Sequence, residues 1–330
     1  MQFLLLILGL GLIVKSADIL IDSAAKIARR YGVSSFIIGI TVIAFGTSAP
    51  ELAVGILSGI SQTNQLTLGN IIGSCLSNIA LIVGLSAMIF PLMVKDTVVK
   101  RELPMLIIIQ VALGAMMFID GQLSRIDGII LMGSFVAFMV YIFLNAKKSM
   151  KIQIDPEGDI DTDNDGNRVA PSNNSGQESS GMVKLGLFSI ISLIGLFGGG
   201  KLTVDSSTQI AQSFGLSETM IGLTVLALAT TMPELITSIV AARKKEHEIV
   251  LGNCIGSCIL NILLVLGLSS FISPIAVEGG LWFDFISMLA LAAFVFFMSF
   301  LKKKIQRPVG IVLVAIYVIY ITTKVMLALT

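Results

Sequence analysis

Runs of apolar residues separated by short polar stretches fill most of the chain. Ten are long enough, or nearly so, to cross a bilayer as helices: 2–28, 34–58, 67–92, 104–119, 126–146, 183–212, 217–241, 249–272, 281–301 and 308–328. A helical span needs about 20 mostly apolar residues. The stretch 104–119 is short, and the second halves of the first and sixth are amphipathic. No basic region precedes the first run, and Lys15, Asp18 and Asp22 follow it without an evident cleavage site, so it is expected to remain as a span. Residues 149–181 are polar and rich in Pro, Gly, Ser, Asn and Asp, which predicts a flexible linker between a first half, 1–148, and a second, 182–330.

Charge sets the direction of the spans. With the N-terminus outside, the inside loops carry 18 of the 22 Lys and Arg residues and the outside loops carry Arg125 alone. This predicts a multi-pass protein of the cell membrane with both termini outside and the linker 149–181 in the cytoplasm. Composition agrees: hydrophobic residues make up 55%, charged residues 13%, and mean hydropathy is +0.93. A soluble domain carries about 25% charged residues. A net charge of +1 gives no field for nucleic acid. One His and three Cys leave little for a zinc site or disulfides, and there is no His-Glu-x-x-His motif. No enzyme activity, cofactor or obligatory protein partner is expected; the bilayer and transported ions are.

The two halves repeat. Residues 39–52, GITVIAFGTSAPEL, match 222–235, GLTVLALATTMPEL; residues 68–86, LGNIIGSCLSNIALIVGLS, match 251–269, LGNCIGSCILNILLVLGLS. The offset is 183 in both blocks and also pairs Asp22 with Asp205. Five spans per half is an odd number, so the second half enters upside down. The expected fold is an all-α polytopic membrane protein of ten transmembrane helices. They form two inverted five-helix repeats with broken helices at the midplane, an arrangement typical of secondary transporters.

The repeated blocks carry the chemistry. Glu51 and Glu234 are repeat partners at mid-span, where an acid costs about 2.5–3.5 kcal/mol on insertion scales. Lys15 and Lys201 are the candidate basic partners in a purely structural pairing; cation ligation is the functional reading. Pro50 and Pro233 precede the acids and withdraw the hydrogen-bond donors that would serve the carbonyls of Gly46 and Ala229. Thr47 and Ser48 stand beside Glu51, and Thr230 and Thr231 beside Glu234. The second block adds Asn70, Ser74 and Asn78, with partners Asn253, Ser257 and Asn261. Glycines 69, 73, 252 and 256 have the spacing of close helix packing. The donor set is all oxygen, which suits hard cations such as Ca²⁺ and Na⁺.

These motifs, GTSAPEL with GNIIGSCLSNI and ATTMPEL with GNCIGSCILNI, resemble the alpha-repeats of the sodium/calcium exchanger family, in its small prokaryotic form. The resemblance covers nearly the whole chain. It implies antiport of sodium against calcium by alternating access, the first and sixth helices sliding across the other eight, and three Na⁺ moved per Ca²⁺. It implies Ca²⁺ on Glu51, Glu234, Thr47 and Thr230. It implies Na⁺ sites drawn from these four with Ser48, Ser74, Asn78, Thr231, Ser257, Asn261 and the carbonyls of Ala44 and Ala227. Two positions depart from the family pattern: Ala229–Thr230–Thr231 stands where Gly-Thr-Ser is favoured, and Asn fills both 78 and 261, where some relatives have Asp at the second. A proton/calcium antiporter is the alternative within transport, and a cation channel the alternative outside it. Elsewhere, Asp161-Thr-Asp163-Asn-Asp165-Gly166 opens like an EF-hand loop but has Ser172 at its twelfth position, so a solvated linker is expected. Cys75, Cys254 and Cys258 read as packing residues and His247 as a solvated loop residue.

Overall fold

In a computed structural model of the chain, the described residues are 1–31, 33–60, 65–154, 175–214, 227–277 and 280–329. Helices dominate: α1 (Gln2–Tyr31), α2 (Ser35–Ile38), α3 (Ala44–Thr47), α4 (Ala49–Ile60), α5 (Gln65–Leu76), α6 (Val83–Ile89), α7 (Leu103–Asp120), α8 (Arg125–Ile154), α9 (Ser175–Ser213), α10 (Ala227–Thr230), α11 (Met232–Arg243), α12 (His247–Leu260), α13 (Gly267–Ile272), α14 (Leu281–Lys302) and α15 (Arg307–Leu329). Turns of π-helix at Gly39–Ile43, Ser77–Ile82, Val98–Glu102 and Asn261–Leu266 join α2 to α3, α5 to α6, the preceding loop to α7, and α12 to α13.

Among the described residues, eight helices are long and apolar enough to span a membrane, or nine with the bent pair Ser35–Thr47 and Ala49–Ile60. The expected seventh span, 217–241, lies partly outside the described residues; α10 and α11 cover what is described of it. The fourth span is not short. It runs from Val98 to Asp120, because a π-helical turn carries Lys100 and Arg101 exposed at its end while Val98 and Val99 stay buried. The helices flanking the expected linker also run into it, to Ile154 and from Ser175.

Burial separates core from periphery. Thr67–Ile89 and His247–Ile272 are 78% and 94% buried over their most apolar stretches, against 17–39% for the other long spans. These two segments hold the second repeated block of each half. Glycine allows their close packing. A Cβ on Gly252 would lie 2.5 Å from the Phe36 carbonyl oxygen, and one on Gly256 2.7 Å from the Ile40 backbone. α1 and α9 pack against each other through Gly9 and Gly199.

Contacts between the halves come in matched pairs. Strand β1 (Leu92–Met93) pairs antiparallel with β4 (Lys304–Ile305), and β2 (Gln122–Leu123) with β3 (Ile275–Ala276). Leu92 and Ile275 are a repeat offset apart, and Leu123 and Ile305 one residue less. Gly84 meets Gly310 as Gly128 meets the repeat partner of Gly84, Gly267.

The β1–β4 end also gathers the charged loops. Lys95 pairs with Glu248 at 2.6 Å, Lys303 pairs with Asp96, and Lys245 lies over the Phe90 ring. His247 is not simply solvated: it stacks on Phe90 with centroids 4.9 Å apart. Lys244 reaches Asp18 at 2.6 Å and Asp22 at 2.7 Å, which ties α1 to the turn after α11. Burial pulls the Lys244 pKa down, but the two carboxylates outweigh it and hold it above the usual lysine value. Asp205 instead pairs within α9 with Lys201 at 3.0 Å. The Lys244 side chain is about a quarter exposed, so Lys244→Gln is expected to cost only about 1 kcal/mol. That reads as a drop of a few degrees in Tm in detergent, vanishing at high salt; an unchanged Tm at low salt would count against the tie.

Candidate functional site

The site forms where both repeat motifs break their helices. Ser48 (φ −83°, ψ 8°) separates α3 from α4, and Thr231 (φ −83°, ψ −1°) separates α10 from α11. The first break bends the chain by 49°. Pro50 and Pro233 then occupy the first turn of the new helix, where a missing N–H costs little. Glu51 and Glu234 follow in that first turn, where backbone N–H dipoles favour a negative charge. The sequence therefore places each carboxylate at a helix start inside the protein.

Of the expected ligands, Ala44, Thr47, Ser48, Glu51, Ser74, Asn78, Thr230, Glu234, Ser257 and Asn261 are fully buried, and Thr231 nearly so. Ala227 opens α10. The halves interlock around the acids. Ser48 Oγ stands 2.9 Å from Glu234 Oε1 and 3.0 Å from Ser257 Oγ, joining α3, α11 and α12. Thr47 also borders Glu234, while Thr230 and Ser74 border Glu51. The neighbours are thus exchanged: Thr230 is the repeat partner of Thr47, and Ser74 that of Ser257. The charges of Glu51 and Glu234 act on each other.

No ammonium stands beside either acid among the described residues. Lys15 is exposed, and Lys201 is turned to Asp205, so the Glu–Lys pairing open in the sequence is not formed. Among the described residues, both oxygens of Glu51, Glu234 Oε2, Ser74 Oγ and the amides of Asn78 and Asn261 have no hydrogen-bond partner. An unpaired buried polar group costs about 1–3 kcal/mol, and a charge more. Such a cluster of oxygen lone pairs suits a hard cation.

The remaining candidates sit less directly. Thr231 donates to the Leu228 carbonyl at 3.1 Å. Asn78 lies beside Cys258 within a π-helical turn, and Asn261 begins another; such turns recur at functional sites and leave no mark in hydropathy. Cys75 and Cys258 each approach the other's carbonyl oxygen at 3.9 Å, as buried packing residues. Ser238 and Thr237 are buried one turn past Glu234 and escaped the motif reading, because their repeat partners, Gly55 and Val54, are apolar. Gly200 of α9 lies against both prolines, 3.2 Å from each ring to a built Cβ, and brings α9 over the two breaks.

The family model for the sodium/calcium exchanger protein matches residues 1–144 and 184–326. The sodium/calcium exchanger MaX1 of Methanosarcina acetivorans is 32% identical, with 97% of each chain covered. The inner membrane protein YrbG of Escherichia coli is 34% identical over 96% of this chain and 94% of its own. Among solved structures, the sodium-calcium exchanger NCX_Mj soaked with 10 mM Na⁺ and zero Ca²⁺ superposes with a TM-score of 0.79 at 30% identity, covering 97% of this chain and 98% of that one. A family of transporters rather than enzymes is what the buried oxygen cluster, the paired breaks and these likenesses agree on, and the chain belongs to it: the sodium/calcium exchanger family.

Proposed function

We propose that the chain is a secondary antiporter that exchanges Na⁺ for Ca²⁺ by alternating access, with both ions as cargo and no cofactor. Ca²⁺ rests on Glu51, Glu234, Thr47 and Thr230. Na⁺ takes sites from the same oxygens with Ser48, Ser74, Asn78, Thr231, Ser257, Asn261 and the carbonyls of Ala44 and Ala227. The observation that carries the reading is the pair of fully buried carboxylates, one from each half, with no basic partner among the described residues. Two negative charges balance one Ca²⁺, and displacing it requires other cations in the same oxygens.

The same reading takes the chain as ten spans in two inverted repeats. The matched strand pairs and glycine contacts are those an axis in the membrane plane would generate. Both termini lie outside and the linker 149–181 lies in the cytoplasm, as the loop charges demand. No obligatory protein partner is proposed.

The test is ⁴⁵Ca²⁺ uptake into vesicles holding the purified protein, loaded with Na⁺ and diluted into Na⁺-free buffer, beside K⁺-loaded and acid-loaded vesicles. Uptake is expected only with the Na⁺ gradient. Equal uptake from acid-loaded vesicles would make the counter-ion a proton. Currents beyond any turnover rate, with no counter-ion, would make the protein a channel.

A further inference from the structure

We infer that Asn253 is a positioning residue for the ion site, which it serves through Thr47 rather than as a ligand; this rests on the antiporter reading above. Asn253 is fully buried on α12 and touches both halves. One end of its amide lies 3.0 Å from Ser238 Oγ and 3.5 Å from the Glu234 backbone oxygen. A carbonyl only accepts, so this end is the NH₂ group. The opposite end is therefore Oδ1, and it faces Thr47 Oγ1 at 3.1 Å. Oδ1 only accepts, so the Thr47 hydroxyl donates.

That assignment decides what Thr47 can offer. A hydroxyl has one hydrogen. Glu234 borders the same hydroxyl; while the hydrogen points to Asn253, its acceptor at 3.1 Å, Thr47 turns lone pairs toward the Glu234 carboxylate, which in its charged form only accepts. Two acceptors side by side, both shut away from water, call for a cation. Without Asn253 the hydrogen turns to the Ala44 carbonyl, 3.3 Å away, or to Glu234 itself, and the acceptor pair is lost.

Ser238 holds the amide the right way round. The first half differs: Gly55 stands at the position matching Ser238, and the Asn70 amide has no partner among the described residues. The two repeat-related amides are thus held unequally, Asn253 being oriented by a hydroxyl that Asn70 lacks.

The test measures Ca²⁺ uptake by vesicles holding the full chain, as Km and maximal rate, with Ba²⁺ as a larger competitor. Asn253→Ala and Ser238→Ala are compared with Ser269→Ala, which removes a buried 3.1 Å hydrogen bond to the Gly55 carbonyl outside this network. Loss of a group that orients a metal ligand typically costs about 10–100-fold in affinity. We expect Km for Ca²⁺ to rise about tenfold in Asn253→Ala, and in the same direction in Ser238→Ala. Discrimination against Ba²⁺ should fall with it, while Ser238→Thr, which keeps the acceptor, restores both. Ser269→Ala should change neither. A merely structural role would lower the number of active transporters and leave Km and ion preference alone. Should Asn253→Ala fail to fold, Ser238→Ala decides. Normal wild-type uptake with unchanged Km and ion preference in the variants that fold overturns the inference alone. Absence of Na⁺-driven uptake in the wild type overturns the functional reading and this inference with it.

Discussion

Glu51→Gln and Glu234→Gln are each expected to reduce Na⁺-driven Ca²⁺ uptake at least about a hundredfold, a loss of roughly 3 kcal/mol in transition-state or binding terms. The substitutions keep size and shape and remove one of the two charges that balance Ca²⁺. What separates this from ordinary damage is stability. Each carboxylate is buried with no basic partner among the described residues, so neutralising it in ion-free buffer relieves a charge that they do not compensate. Tm in chelator should therefore stay level or rise in both variants. Added Ca²⁺ is expected to stabilise the wild type by about 2.7 kcal/mol at a hundred times its Kd, and to leave the variants unmoved. Variants that melt early in chelator would point to a structural role for the acids; variants that still exchange would remove them from the site.

Gly256→Leu should leave no folded protein. A Cβ on Gly256 would stand 2.7 Å from both Cα and O of Ile40 and 2.8 Å from the Ala44 Cβ. Two of the three are backbone atoms, which cannot swing aside as a side-chain tip can. Overpacking a dense interior costs about 1–3 kcal/mol even when repacking is possible, and here α12 would have to lift away from the helical backbone of residues 39–47. Gly256→Ala is expected to survive with a Tm lower by several degrees. Gly133→Ala, on an exposed turn of α8 with nothing within 4 Å of the added carbon, should be neutral or slightly stabilising, since alanine favours helix by about 1 kcal/mol over glycine. Size-exclusion profiles of the three in detergent settle the point: a monodisperse Gly256→Leu peak would refute the close contact.

Much of this protein was legible along the chain because the membrane penalises polarity. Apolar runs mark helices, and an acid at mid-span stands out because its cost demands a reason. Repetition at one offset then identified Glu51 with Glu234, and the prolines before them located the breaks, since a residue without an N–H cannot continue a helix unbroken. The repeat offset also relates the two strand pairs, β1–β4 and β2–β3, to each other.

What tertiary structure decided is whatever depends on meeting a residue far away. The start of the fourth span at Val98 escaped hydropathy, because Lys100 and Arg101 lower the average while reaching out of the helix end. Asp22 and Asp205 look alike in sequence, yet one crosses to Lys244 and the other stays within its helix. His247 reads as solvated until Phe90 is found beneath it. Asn253 could be a ligand on composition alone; Thr47, 206 positions away, and Ser238 on the neighbouring helix orient its amide and give it a different task. Helices and breaks follow from local cost, which a sequence carries residue by residue. The direction of a hydrogen bond follows from which acceptors converge on one donor, and only the packed chain brings those together.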